Sequence, residues 1–425
     1  MKILLVNNFY YNRGGDCTYL FLLKKLLERK GHKVVVFSMH HPQNSDSEYS
    51  KYFVSYINYK EEIENKNILS GFKVLNRTIY SREAKEKIER LIREEKPDVA
   101  HLQNIHHHAT PSILYALKKY KIPIVWTLHY YTLICPNTSF LSHGRICEKC
   151  KKRKYFWAPI VRCKKGSFSA SLMAVIETII HRVMKINNLV DVFIAPSKFL
   201  MDKFIEYGFK EKKIVWLRHF IEIPQDSKEE TGENYYLYVG RLSEEKGVKT
   251  LIDAAIKVCS NDDNISDRVS TSKLKIVGSG PLEKELLLYA KNKDRDNMIG
   301  FLGHRSHDEV IKLIRNCQFV VVPSEWYEIY SFVILESFAC GKPVIGSRIG
   351  GITKLIKDAK GGIVVEPGDV EGLASAIKYL LNNLDIAAEM GKNAEEFARH
   401  TLNPEEHYGK LIEIYKQAIN KKNRE

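Results

Sequence analysis

No stretch of this chain approaches the ~20 consecutive apolar residues that a membrane-spanning helix needs. The first residues, Met1-Lys2-Ile3-Leu4-Leu5-Val6-Asn7-Asn8, have too short an apolar part for a secretory leader and lack a small-residue cleavage site. They read as a first β-strand, and a cytosolic protein is expected. Internal repeats and low-complexity tracts are absent. Cysteine is sparse, with 8 in 425 residues. In a reducing compartment these are buried small hydrophobes or metal ligands, and a disulfide framework is excluded. The dinucleotide fingerprint G-x-G-x-x-G is missing from the first strand-helix turn, so NAD is not inferred. Carboxylates are too few to balance the cations: 51 Asp and Glu face 66 Lys and Arg, a net charge of +15. That excess implies an anionic partner, whether nucleic acid, an anionic membrane surface or a phosphorylated small molecule.

What is present is an α/β pattern long enough for two domains of ordinary size. Ile3–Val6, a loop from Tyr10 to Gly15, a helix over Thr18–Arg29 and a strand at Val34–Phe37 form an opening βαβ unit. Asn12-Arg13-Gly14-Gly15 occupies the turn where such sheets bind ligands. Gly14 and Gly15 either relieve a tight turn or let a phosphate approach bare backbone. Further buried strands are expected at 99–102, 122–128, 190–195 and 214–217. The 122–128 strand delivers His129 at a sheet's carboxyl edge, where a histidine can act. His106-His107-His108 do not share one face of any regular element, which weakens a metal reading. The polar tract Glu222–Asn234 reads as a linker, and Cys259–Lys273 as a surface insertion. The second half repeats the alternation, with strands at 235–239 and 274–277, a stretch at 297–302 leading to another strand, and strands at 319–322, 344–346 and 361–365.

Between the fourth predicted strand and the linker lie Cys135, Cys147, Cys150 and Cys163. One Cys-x2-Cys with two outlying cysteines resembles half of a zinc ribbon, so a structural zinc and four unrelated thiols both remain open. The same segment, Lys149 to Lys165, is basic and aromatic, a composition that attracts anionic lipid headgroups or forms a solvated loop. Ser171–Lys185 follows as a candidate amphipathic helix.

The densest chemistry lies in Pro323–Ser347 (PSEWYEIYSFVILESFACGKPVIGS). A buried strand precedes it, so Glu328 falls in the loop leaving that strand and Glu336 in the helix that follows. Both carboxylates then approach one helix N-terminus, a receptor for phosphate. Upstream, Arg241 and Lys246 share the first loop of the second half, a pair suited to a diphosphate. Gly278-Ser279-Gly280-Pro281 ends the next strand. The only Asp-x-Asp, Asp294-x-Asp296, lies in a charged loop far from these motifs.

Glu328-x7-Glu336 with the trailing Ala-Cys-Gly-Lys-Pro-Val, together with Gly240-Arg241-x4-Lys246-Gly247, resembles the signature of family-4 retaining glycosyltransferases. Thr127-Leu128-His129 is similar to that family's T-x-H-D or L-H-D element, with Tyr130 where the aspartate would stand. The resemblance implies the α/β GT-B fold, two doubly wound Rossmann-like domains facing a central cleft. Residues 1–222 would bind the acceptor, 223–403 the nucleotide sugar, and a helix at 404–425 would cross back onto the first domain. It implies an α-linked product formed with retention, by a reaction that needs no metal. His129 and Glu328 would serve the reacting sugar, and Arg241 and Lys246 the departing diphosphate. Glu336 would hold a ribose diol. Gly14, Gly15, Gly278, Gly280 and the backbone of Ile329, Tyr330 and Ser331 would lie along the donor; the commonest family form has glycine at positions 329 and 331. Cofactors are expected to be limited to the nucleotide-diphosphate sugar and a structural zinc, and partners to a glycan or lipid-linked acceptor and an anionic membrane surface. A sequence-specific nucleic-acid role finds no motif. The alternatives are a non-catalytic donor-binding subunit and a nucleotide-sugar epimerase.

Overall fold

The structure, a computed structural model, describes residues 1–57, 77–223, 234–259, 269, 271–294 and 296–422. Residues 224–233 of the expected linker and 260–268 of the expected insertion lie outside them. The chain forms two compact units. The first comprises Met1–Ser142, Cys147–Arg218 and His407–Glu425, and the second His143–Ile146 and His219–Glu406.

In the first unit, short runs of aliphatic residues form a parallel sheet of β1 (Lys2–Val6), β2 (Lys33–Phe37), β3 (Val99–Leu102), β4 (Ile124–Thr127), β5 (Val192–Ala195) and β6 (Ile214–Trp216), in the order β2-β1-β3-β4-β5-β6. Nearly every residue of β1 to β4 is buried, as expected of strands covered on both faces. Leu4 lies beside Val35 on one flank and Ala100 on the other. The helices include α1 (Gly15–Arg29), α2 (Arg82–Glu95), α3 (Ser112–Lys119), α4 (Phe168–Val183) and α5 (Lys198–Glu206). Ser81, Ser167 and Ser197 cap α2, α4 and α5 by accepting a backbone N–H three residues on.

The second unit repeats the design. Its strands β7 (Tyr235–Val239), β8 (Lys273–Val277), β9 (Ile299–Gly303), β10 (Val320–Val322), β11 (Val344–Ser347) and β12 (Gly362–Val365) lie in the order β9-β8-β7-β10-β11-β12. Helices α6 (Val248–Cys259), α7 (Glu283–Lys293), α8 (His307–Asn316), α9 (Phe332–Ala339), α10 (Ile352–Ala359), α11 (Val370–Asn382) and α12 (Leu384–Thr401) cover it. Strand order reverses between β7 and β10, the switch point at which open sheets of this kind hold ligands.

The last helix, α13 (Pro404–Lys422), supplies residues to the first unit's core. His407 Nδ1 donates to the Arg218 carbonyl at 2.8 Å, which leaves Nε2 to accept from the Tyr19 hydroxyl at 3.0 Å. His101 lies 2.6 Å from the Tyr415 hydroxyl and 2.7 Å from Thr127 Oγ1. Among the described residues no helix is long and apolar enough to cross a membrane.

Candidate active site

The switch point of the second unit is built from the loops that leave β7 and β10. After β7 the chain makes a 3-10 turn at Glu244–Lys246, and Tyr238 steadies it by donating its hydroxyl to the Arg241 carbonyl at 2.9 Å. After β10 the loop Pro323–Ser331 is tied to this turn: Glu325 N donates to the Glu245 carbonyl at 2.9 Å, and Thr250 Oγ1 to Glu325 Oε1 at 2.5 Å. These ties bring Lys246 and Glu328, 82 residues apart in sequence, to 2.8 Å.

Glu328 is buried, and three donors converge on its Oε2: Lys246 Nζ at 2.8 Å, Trp326 Nε1 at 2.7 Å and Ser324 Oγ at 3.3 Å. Burial pushes its pKa up, but the ammonium and the hydrogen bonds together outweigh burial and hold the carboxyl below its ordinary value. Among the described residues no donor reaches Oε1, so a fixed anion presents one acceptor oxygen to a ligand. Lys246 Nζ also lies 5.3 Å from the centre of the Trp326 ring. Arg241 is exposed on the same loop, and among the described residues its guanidinium has no partner.

Helix α9 begins at this place. Ser331 stands at its N-cap position but makes no side-chain cap, so the first-turn amides point outward as an anion receptor. Ile329 is buried, and the Tyr330 ring meets His219 edge to face at 5.3 Å. Glu336 lies in the second turn, buried, with His307 Nδ1 at 3.6 Å from Oε1. Desolvation lifts its pKa from 4.5 to about 7.

Gly278 and Gly280 act through backbone packing. Gly278 has φ +134°, and a Cβ there would come 1.9 Å from the Gly240 carbonyl oxygen; one at Gly280 would come 2.3 Å from that of Leu242. The β8 loop can therefore lie directly on the Arg241 loop. Gly350, absent from the sequence-based site, does the same for Glu328: its φ is +55°, and a Cβ would meet the Glu328 carbonyl oxygen at 2.3 Å. Gly351 N donates to that carbonyl at 2.7 Å. Trp326, Ser324 and Gly350-Gly351 all escaped the sequence reading. The Gly-Gly pair after β11 was the one available signal.

The remaining sequence-based candidates belong to the first unit. Gly14 and Gly15 stand where β1's loop enters α1. His129 follows β4, and its Nε2 donates to Gln103 Oε1 at 2.6 Å. Burial lowers its pKa to about 4, with Asp16 opposing, so the imidazole is neutral at physiological pH. Asn7, Asn8 and Asn104 crosslink the β1 and β3 loops there; Asn104 N donates to Asn7 Oδ1 at 3.0 Å and Ala109 N to Asn8 Oδ1 at 3.1 Å.

A zinc at Cys135, Cys147, Cys150 and Cys163 is not shown by the structure. The four are free thiols, and among the described residues no group of three or more Cys, His, Asp or Glu is placed to hold a metal ion. Burial pushes Cys135 up to about 11 and Cys150 to about 12, aided at Cys150 by the other three thiols. Asp294 is likewise committed: its two carboxylate oxygens accept from Met298 N at 3.0 Å and Ile299 N at 2.8 Å.

Two doubly wound parallel sheets, the second carrying a cation–carboxylate pair and an open helix N-terminus at its switch point, define a protein of the GT-B class. The comparisons with known proteins agree. The model of glycosyl transferases group 1 matches residues 219–397 and that of glycosyltransferase family 4 matches residues 13–223. The chain belongs to this glycosyltransferase family. It is similar to an uncharacterized glycosyltransferase of Methanocaldococcus jannaschii, 34% identical over 39% of this chain and 43% of that protein. It is also 26% identical to an uncharacterized 42.6 kDa protein in the cps region of Klebsiella pneumoniae, over 84% of this chain and 87% of the relative. The crystal structure of the Anabaena protein HepE in complex with UDP-glucose shares the fold, with a TM-score of 0.65 and 18% identity over 98% of this chain and 100% of that one.

Proposed function

We propose that this protein is a retaining glycosyltransferase that moves a hexose or similar sugar from a nucleotide-diphosphate sugar to a glycan or lipid-linked acceptor in cell-surface polysaccharide biosynthesis. It works in the cytoplasm at the inner face of the plasma membrane. The observation that carries the reading is the Lys246–Glu328 pair at 2.8 Å beside the uncapped start of α9. The cps-region relative and the UDP-glucose complex of HepE support the pathway and the donor class.

In this reading Lys246, Arg241 and the α9 amides receive the diphosphate, and Glu336 accepts from the ribose hydroxyls. As the bond from the anomeric carbon to the phosphate oxygen breaks, negative charge grows on the diphosphate and positive charge on the sugar. Fixed cations stabilise the first and Glu328 the second, more in the transition state than before it. The acceptor oxygen bonds to the anomeric carbon on the face the phosphate leaves, and its proton passes to the departing phosphate oxygen. No protein nucleophile and no metal enters. His129, neutral and oriented by Gln103, belongs to the sugar and acceptor side.

The test is a screen of UDP- and GDP-sugars for binding and slow donor hydrolysis. Binding of one donor with measurable release of its nucleotide is expected; absence of binding to every common donor contradicts the reading. A donor that binds without turnover in any acceptor mixture favours the non-catalytic subunit.

A further inference from the structure

Half of the large apolar side chains exposed among the described residues fall between Phe156 and Val183. Phe156 and Ile160, 57% and 59% exposed, are the N-cap and the last residue of the short helix Trp157–Ile160 that packs on α4. On α4, Phe168, Leu172, Ile179 and Val183 are exposed, Val183 at 74%. Their spacings of 4, 7 and 4 place them on one stripe of a 3.6-residue helix. The opposite face is anchored: Ala174, Glu177 and His181 are buried, and Glu177 and His181 line a cavity of about 270 Å³ within the unit.

The segment that carries this stripe is strongly cationic, with one of its cations, Lys151, paired to Glu206 of α5. From Lys149 to Lys185 the chain carries ten Lys and Arg against one carboxylate, Glu177, which is turned inward. Lys152, Arg153, Lys154, Arg162, Lys165 and Arg182 are exposed. The parts are held together: Ser167 caps α4, Lys164 N donates to Ser171 Oγ at 3.0 Å, and Arg182 reaches the Tyr155 hydroxyl at 3.3 Å.

We infer that this platform docks the protein on an anionic phospholipid bilayer, with the α4 stripe, Phe156 and Ile160 entering the interface and the surrounding cations meeting the headgroups. A helix rigidly fixed on one side, apolar on the other and flanked by an excess of cations has the amphipathic pattern of an interfacial anchor. An exposed apolar stripe in a segment with a large excess of cations matches lipid phosphates, whose charge is spread over a plane. The inference concerns a surface outside the donor site and does not depend on the donor reading.

Flotation with vesicles tests it. The purified chain should float with equimolar phosphatidylcholine–phosphatidylglycerol vesicles, stay behind with pure phosphatidylcholine, and be released as salt rises. Ile179→Asp with Val183→Asp should lower partitioning more than tenfold, as should Lys152→Glu with Arg153→Glu and Lys154→Glu. The thermal midpoint and donor-nucleotide affinity of each variant should match the parent; Ile179→Ser with Val183→Ser replaces the first pair if the aspartates unfold it. The inference is overturned if the parent does not float, if both vesicle types bind it equally, or if the aspartate pair floats unchanged. It is also overturned if the stripe proves to be a self-interface, with a dimer that the aspartate pair turns into monomer.

Discussion

Glu328 shows how one side chain can be both rigid and available. Three donors fix Oε2, and the opposite oxygen stays open. Lys246→Met removes the counter-charge from a buried carboxylate and should cost about 1–3 kcal/mol of stability. Adding Glu328→Gln should restore part of it, since a neutral amide no longer needs the ammonium; urea midpoints of the four proteins measure the coupling. Glu336 gives a separate signature. Burial raises its pKa from 4.5 to about 7 in the free protein, and in the proposed donor complex ribose hydroxyls would donate to the carboxylate. A proton therefore competes with the nucleotide. Affinity for the nucleotide of whichever donor binds should be flat above about pH 7 and fall toward tenfold per pH unit below it, and Glu336→Gln should bind more weakly with no such slope. Calorimetry across that range checks it, and equal slopes would contradict it. The sequence displayed Arg241, Lys246, Glu328 and Glu336 because their spacing is local. It hid Trp326 and Ser324 because nothing in their neighbourhood says that a strand–loop crossing will aim both at one oxygen.

Among the elements, the β10–α9 loop depends on Gly350 lying against it. Gly350→Ala should force the Glu328 backbone aside, lowering turnover by more than tenfold with a smaller loss of stability. Gly409→Ala, in open space on α13, serves as the control. Assay of both variants with one donor decides this; an unaltered Gly350→Ala enzyme would mean that the loop does not need its seat. The strands of the two parallel sheets were legible, because fully covered parallel strands such as Val34–Phe37 and Val320–Val322 are unbroken apolar runs. Helix α12 was not. Its buried face is Ala387, Gly391, Ala394 and Ala398, small residues that pack closely but lack the large aliphatic side chains by which a core-facing stripe is recognised. Helix α9 was legible as a helix, yet its missing N-terminal cap, the property that matters for an anion, appears only in the backbone.

On the scale of the whole molecule, the first unit is closed by the buried network of Tyr19, His101, His407 and Tyr415, joining α1 and β3 to α13. The sequence suggested that the last helix returns to the first half, but not that histidines would fasten it. Burial lowers His101 to about 3 and His407 to about 4 from 6.5. The unfolded chain takes up protons that these groups refuse, so stability is intact above about pH 6.5 and falls below it by ~1.4 kcal/mol per pH unit for each histidine. Glu177 and Glu336, lifted to about 7 by burial, oppose this trend, so one histidine is best isolated by substitution. His101→Gln should be less stable than the parent at pH 7, with the gap narrowing by about 2 kcal/mol at pH 5. Urea denaturation at the two pH values measures it, and a constant gap would contradict the neutral buried imidazole.

The central claim, that Glu328 and its partners act on a bound nucleotide sugar, is tested most directly by measuring donor affinity and turnover together in Glu328→Gln. The account predicts donor binding within severalfold of the parent and turnover lower by ~10²–10³, about 2.7–4 kcal/mol of transition-state stabilisation. Turnover equal to the parent's at equal affinity would contradict it.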